Sequence, residues 1–272
     1  MADAVAAKID GKRISTGIQG LDAVISGGLL KGRTHLVSGG PGAGKSIFAL
    51  QFVLSGLKSG SKCVYVAINE QPEDLVATAK LLGWNFDGAC AGKKLLFLDA
   101  SPYFASYHEA GRVRYRHHDV RKLIADLAGH VKSNHADLLV IDPINSILAN
   151  AREPDALAFS REFVFSCEAH LACTTLLTLD KNDNIRDGSH PLEFLVSGIF
   201  SLGVSHRNGS FTRTLSVKKA RATNAPISIH GFEIRPIKGI FLSSLGDNGS
   251  NPRNQAPGEE LPGAGRLQVA GE

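Results

Sequence analysis

GGPGAGKS, running from Gly39 to Ser46, is the stretch on which the fold turns. It fits the pattern G-x-x-x-x-G-K-[ST] at every position. Its context fits as well. The β-like run Thr34–Ser38 (THLVS) leads into it, and Ser46–Leu57 (SIFALQFVLSGL) follows with apolar residues at helical spacing and Gly60 as a stop. A glycine turn arising by chance needs neither flank. Glycines let the backbone turn tightly and aim its N–H groups at phosphate oxygens, and the helix that follows adds its positive end. Lys45 supplies a point charge for the β- and γ-phosphates, and the Ser46 hydroxyl supplies a ligand for Mg²⁺. The expected nucleotide-binding residues are therefore Gly39, Gly40, Pro41, Gly42, Ala43, Gly44, Lys45 and Ser46, with ATP and Mg²⁺ as the expected ligands.

Outward from this loop, strand-like and helix-like segments alternate. Lys62–Ile68, Lys94–Leu98, Leu138–Ile141 and Cys173–Leu179 read as strands, and Glu73–Leu82, Val120–Ser133 and Asp155–His170 as helices. Gly198–Leu202, Arg213–Lys219 and Ile227–Glu233 then read as strands with no helix between them, the first two joined by a turn at Arg207–Gly209. This order predicts an α/β fold with a mainly parallel sheet, helices on both faces and antiparallel edge strands. Asp142 closes the apolar run LLVI. Alone, an Asp before Pro143 starts a turn; after a phosphate loop, a carboxylate at a strand end suits a second Mg²⁺ position, reached through water.

Composition sets limits. The 272 residues are 43% hydrophobic and 21% charged, as in a globular chain with a sizeable core. No run reaches the ~18 apolar residues of a membrane helix, and Met1–Gly11 has no signal-like apolar stretch. Cys63, Cys90, Cys167 and Cys173 show no Cys-x-x-Cys spacing, which suits free thiols in a cytoplasmic protein better than a zinc site. The net charge of +4 is too mild to argue for nucleic acid by itself. Gly246–Glu272 is rich in Gly, Pro, Asn and Glu, has no aromatic residue, and reads as a disordered tail.

Further motifs extend the reading. Ile14-Ser15-Thr16-Gly17-Ile18-Gln19-Gly20-Leu21-Asp22, followed by Gly27-Gly28-Leu29-Leu30-Lys31-Gly32, resembles the opening of KaiC-like ATPases of the RecA superfamily. Glu70-Gln71-Pro72-Glu73-Asp74-Leu75 and Leu82-Gly83-Trp84 resemble two later segments of the same family. The resemblance spans about residues 9–242. It implies a RecA-like P-loop NTPase core, preceded by an N-terminal arm over residues 1–12, extending over 13–245, and followed by the tail at 246–272. It also implies assembly into a homo-oligomer, expected to be a hexameric ring, with ATP between neighbouring subunits. Lys219-Ala220-Arg221-Ala222-Thr223 looks like the family's K-x-R-[GA]-T segment, whose Lys and Arg reach the γ-phosphate held by the adjacent subunit. Charge alone would make these two residues a solvated strand end; the resemblance makes Lys219 and Arg221 catalytic candidates.

Two departures from the family matter. Its usual Glu-Glu pair is Asn69-Glu70 here. An amide orients water but does not take its proton at neutral pH. Glu70 is then the candidate base, with weak turnover expected, although a helix-entry acid before Pro72 is an equal reading of Glu70. The positions matching the autophosphorylated Ser and Thr of the clock protein's second domain are Glu193 and Phe194, so clock-type autokinase activity is not expected.

Tyr103–His118 interleaves three Tyr and one Phe with three Arg and three His. Such a segment could stack on bases and neutralise phosphates of a single strand, but a surface loop is favoured. His108, His117 and His118 form at best a weak metal cluster. Trp84 is expected to pack within the turn after its helix, and Cys167 and Cys173 to act as small apolar fillers. The leading expectation is a Mg²⁺-dependent ATP-binding protein with weak ATPase activity, acting in regulation through assembly and a protein signalling partner. The alternatives are an ATP-dependent single-strand-binding module of recombination type and a non-hydrolysing, ATP-gated scaffold.

Overall fold

Apolar runs without alternation, such as CVYVA and LLVID, belong to strands covered on both faces. The structure is a computed structural model and describes residues 11–104, 106–109, 112–115, 120–148, 156–181, 190–207, 210–225 and 227–243. The expected tail and most of the expected arm lie outside these residues. The main sheet has nine strands: β1 (Thr34–Gly39), β2 (Cys63–Ala67), β3 (Leu95–Asp99), β4 (Leu138–Asp142), β5 (Thr174–Asp180), β6 (Gly198–Arg207), β7 (Ser210–Ala220), β8 (Ser228–Arg235) and β9 (Gly239–Ser243). Their spatial order is β9-β8-β7-β6-β1-β5-β4-β2-β3. From β6 to β3 every pair is parallel; β6-β7, β7-β8 and β8-β9 are antiparallel.

Helices α1 (Lys45–Lys58), α2 (Pro72–Leu81), α3 (Val120–Ser133), α4 (Ala156–Phe165) and α5 (Pro191–Leu195) connect or flank the strands. The period of two along each strand divides the core. Val37, Tyr65, Ala67 and Val140 face α1 and α2, packing with Phe48, Phe52 and Leu75. Leu36, Val64, Val66, Leu139 and Ile141 face the other way, onto Leu127 and Val131 of α3 and Phe163 of α4. Each fully buried Phe or Leu contributes about 1.5–3 kcal/mol relative to exposure.

The N-terminal motif has a structural reason. Asp22 accepts from the Thr16 N–H at 2.9 Å, the Thr16 hydroxyl at 2.6 Å and the Ser15 hydroxyl at 2.5 Å, closing the segment on itself. A Cβ on Gly28 would stand 2.2 Å from the Ile14 carbonyl oxygen, so only glycine lets Arg13–Ile14 pair with Leu29–Leu30.

Several details differ from the expectation. The helix expected to reach His170 changes to a π-helical turn over Ser166–Leu171 and stops at Ala172, whose φ is +54°. Trp84 reaches farther than its own turn. Its indole N–H donates to the Ile237 carbonyl at 3.0 Å, so it packs α2 onto the β8–β9 connection. Buried Gln51 of α1 ties the same connection, donating to the Gly17, Lys238 and Ile240 carbonyls and accepting from the Ile240 N–H at 2.7 Å. Within Tyr103–His118, Ser106–Glu109 and Arg112–Tyr115 form an antiparallel ribbon, with Tyr107 opposite Arg114; His117 and His118 lie outside the described residues. Among the described residues no helix is long and apolar enough to cross a membrane, and the four cysteines are free.

Candidate functional site

Parallel register brings distant residues to one edge. Gly39 at the end of β1 pairs with Asp180 at the end of β5, and Asp142 at the end of β4 pairs with Ala67 at the end of β2. The β1–α1 crossover leaves β1 for β2 and skips the strands between them, so a crevice opens outside these carboxyl ends. The cleft there has a volume of about 390 Å³ and is lined by Pro41, Gly42, Gly44, Lys45, Ser46, Asn69, Glu70, Asp142 and Asp180, among others. That is room for the phosphate end of a nucleotide.

The loop geometry suits an anion. Gly42 and Gly44 have φ of +69° and +104°, values strained for any side chain. A Cβ on Gly39 would meet the Leu202 carbonyl oxygen of β6 at 2.5 Å. No side chain caps α1, and Gly44, Lys45 and Ser46 at its start line the cleft, so the positive end of the helix lies at it. The buried Lys45 ammonium donates to the Gly39 and Gly40 carbonyls at 3.0 and 2.9 Å and pairs with Asp180 Oδ1 at 2.8 Å.

Asp142 is buried and lines the same cleft. Its Oδ2 accepts from the Tyr65 hydroxyl at 2.6 Å, and its Oδ1 accepts from the Thr178 hydroxyl. Two neutral donors on neighbouring strands fix the carboxylate. Burial first, and then the Asp142 charge, raise the Tyr65 phenol well above its ordinary value, so it stays a donor. Ser46, Asp142, Asp180 and Glu70 give the cleft hydroxyl and carboxylate oxygens, the donor class that Mg²⁺ takes. Among the described residues no group of three His, Cys, Asp or Glu side chains forms a closed metal cage. Mg²⁺ needs none, since it keeps waters and substrate oxygens in its shell.

Asn69 and Glu70 follow β2 on the rim of the cleft. The Asn69 carbonyl oxygen accepts from the Ser146 hydroxyl at 3.2 Å, which holds the amide in place. Glu70 has its carboxyl raised above the ordinary value, by burial first and then by Asp142, Asp74 and Asp180.

Lys219 and Arg221 stand outside the cleft of their own chain. Lys219 Nζ donates to the Glu193 and Phe194 carbonyls at 3.0 and 3.1 Å, and Arg221 Nη2 to the Phe194 carbonyl at 3.4 Å. Partial burial and the neighbouring Arg221 lower the Lys219 ammonium from its ordinary value, against the pull of Glu193.

Asp180, Tyr65 and Thr178 are the members of the site that sequence reasoning passed over. Asp180 carried a usable signal, since TLLTLD ends an apolar strand in an acid just as LLVID does. Tyr65 and Thr178 carried none, because only the strand order makes them neighbours of Asp142.

The KaiC ATPase family matches residues 14–246 of this chain. A UPF0273 protein of Thermotoga maritima is 32% identical over 237 residues, covering 85% of this chain and 96% of that one. A UPF0273 protein of Pyrococcus horikoshii is 30% identical over 239 residues, covering 85% and 94%. The circadian clock oscillator protein KaiC of Thermosynechococcus vestitus is 29% identical over 251 residues, covering 87% of this chain but 46% of that one. The crystal structure of a KaiC-like protein from Pyrococcus horikoshii superposes with a TM-score of 0.71 at 27% identity, covering 85% of this chain and 99% of the other.

Proposed function

The chain belongs to the KaiC ATPase family, and from that premise we propose that it binds Mg·ATP on Gly39–Ser46, hydrolyses it slowly, and completes each nucleotide site with Lys219 and Arg221 of a neighbouring subunit in a ring. The observation that carries this reading is the split between two sets of charges. Lys45, Asp142 and Asp180 converge inside one cleft, whereas Lys219 and Arg221 bond backbone carbonyls outside it. Cations so placed serve a nucleotide held by another copy.

In this mechanism the first-turn N–H groups of α1 and the Lys45 ammonium bind and orient the phosphates. Ser46 Oγ and the Asp142 carboxylate would hold Mg²⁺, which would supply positive charge to the phosphates. Asn69 orients the attacking water, and Glu70 accepts its proton. Lys219 and Arg221 of the neighbour stabilise charge on the transferring phosphoryl group. Because one member of the usual acid pair is an amide, turnover is slow, and the output is assembly state and the binding of a protein partner in the cytoplasm rather than bulk hydrolysis.

The test is Mg·ATP hydrolysis per subunit against protein concentration. The proposal expects a rate that rises as subunits associate. A constant rate from a stable monomer contradicts it.

A further inference from the structure

Short helix α5 stands between the phosphate site and the outward cations. It begins at Pro191, with the His190 ring accepting from the Leu192 N–H at 3.3 Å. Leu192 and Val196 are fully buried, which pins its underside to the core. Its two ends are held differently. Glu193 is the acid of a 2.7 Å ion pair with Lys181, and the Glu193 side chain is only 15% exposed. The carbonyls of Glu193 and Phe194 accept from Lys219 and Arg221, the favoured place for cations on a helix.

The ion pair leads back to the phosphate loop. Lys181 directly follows Asp180, whose carboxylate pairs with Lys45 at 2.8 Å. The Lys181 N–H itself donates to the Gly39 carbonyl at 3.0 Å. Lys45 Nζ and the Lys181 N–H thus share the Gly39 carbonyl, Lys181 pairs with the Glu193 carboxylate, and the backbone of the same short helix, at the Glu193 and Phe194 carbonyls, holds Lys219 and Arg221.

We infer that Lys181 and Glu193 are positioning residues, and that their ion pair fixes Lys219 and Arg221 for the neighbouring nucleotide while tying them to the phosphate site of their own subunit. This inference rests on the reading that Lys219 and Arg221 act between subunits. Nucleotide phosphates compete with Asp180 for Lys45, and any shift of Asp180 passes along the strand to Lys181. By linkage the effect is reciprocal: engagement of the cations by a neighbour alters nucleotide affinity at the subunit's own loop. A pair that merely stabilised the helix would lower the melting temperature but would not discriminate ATP from ADP.

The experiment uses the full chain and needs no turnover. Subunit association is measured by sedimentation in Mg·ADP and in a Mg complex of a slowly hydrolysed ATP analogue, and the ratio of the two midpoints is taken. Affinity of dilute subunits for a fluorescent ATP analogue is measured beside it. Glu193→Gln and Lys181→Met should each reduce the ratio about tenfold, the scale of a coupled pair, with nucleotide affinity of the dilute subunit within about twofold. Lys181→Arg, which keeps the charge, should retain the wild-type ratio. If Glu193→Gln fails to fold, Lys181→Met decides, since that side chain is 35% exposed. A wild-type ratio in Lys181→Met, or a loss as large in Lys181→Arg, overturns the inference. Lys219→Ala separates the two levels: if it lowers the ratio and Lys181→Met does not, only the positioning role falls. If Lys219→Ala also leaves the ratio unchanged, the intersubunit reading falls and the inference with it.

Discussion

The carboxyl edge of the parallel strands and the far end of β7 treat charge in opposite ways. At the parallel edge, Lys45 is buried against an acid and two carbonyls, and Asp142 is held by two hydroxyl donors. At the end of β7, Lys219 Nζ and Arg221 Nη2 donate to backbone carbonyls among the described residues, and the adjacent Phe194 is exposed. The first region gathers its charges inside one cleft of one chain. The second presents cations outward from a fixed backbone, where Arg13 Nη2 also holds the Ala222 carbonyl. The difference is that the buried charges are compensated by neighbouring groups of the same cleft, whereas the cations at the end of β7 bond backbone carbonyls; the two-part site proposed above rests on that contrast.

The sharpest way to break this comparison is at Lys45. Lys45→Ala strands Asp180 in the cleft and removes the phosphate contact, and should weaken ATP binding about a hundredfold or more in a fluorescent nucleotide titration. An affinity within threefold of wild type would show that the parallel-edge site is not the nucleotide site.

The next effect concerns the buried region as a scaffold. His35 on β1 is fully buried, donates through Nε2 to the Leu30 carbonyl and has its imidazolium suppressed to about 4, by burial first. A histidine whose folded value lies below its unfolded value leaves stability intact above about 6.5 and costs stability as pH falls from there toward about 4. The loss should approach about 3 kcal/mol. Urea melts at neutral pH and near pH 4.5 should show wild type losing more than His35→Gln by roughly that amount; equal losses would assign the acid sensitivity elsewhere.

On the rim of the cleft, Asn69→Glu places a second acid beside Glu70 and should raise turnover about tenfold to a hundredfold. An unchanged rate would mean that position 69 is not what slows the wild type. The rate of wild type should also rise with pH as Glu70 ionises, since the ionised form is the base. The smallest expected effect is at the outward cations: Lys219→Ala or Arg221→Ala should lower turnover about tenfold while leaving the nucleotide affinity of dilute subunits nearly unchanged.

These two regions were not equally legible in the sequence. GGPGAGKS and LLVID advertise themselves, because a phosphate loop needs fixed residue types in a row and a doubly covered strand has no polar interruption. Strand–helix alternation also gave the parallel sheet and the antiparallel extension. The contacts that complete the cleft join residues far apart in the chain, as with Tyr65 to Asp142 or Lys45 to Asp180. They exist because β1, β5, β4 and β2 lie side by side, an order that periodicity does not encode. Trp84 shows the same limit. Its burial was readable from its type, but its partner at Ile237 belongs to a hairpin late in the chain. The π-helical turn at Ser166–Leu171 follows a regular helical pattern and announces itself nowhere.

Subunit mixing tests the two-part site most directly. Lys45→Ala subunits keep the outward cations but lack the phosphate contact, and a Lys219→Ala/Arg221→Ala double variant keeps the phosphate site but lacks the cations. Each should be nearly inactive alone. Mixed at concentrations that support assembly, they should recover a substantial fraction of wild-type Mg·ATP hydrolysis, because each supplies what the other lacks. A mixture no more active than the sum of its parts, with mixed assemblies present, would contradict a site shared between subunits.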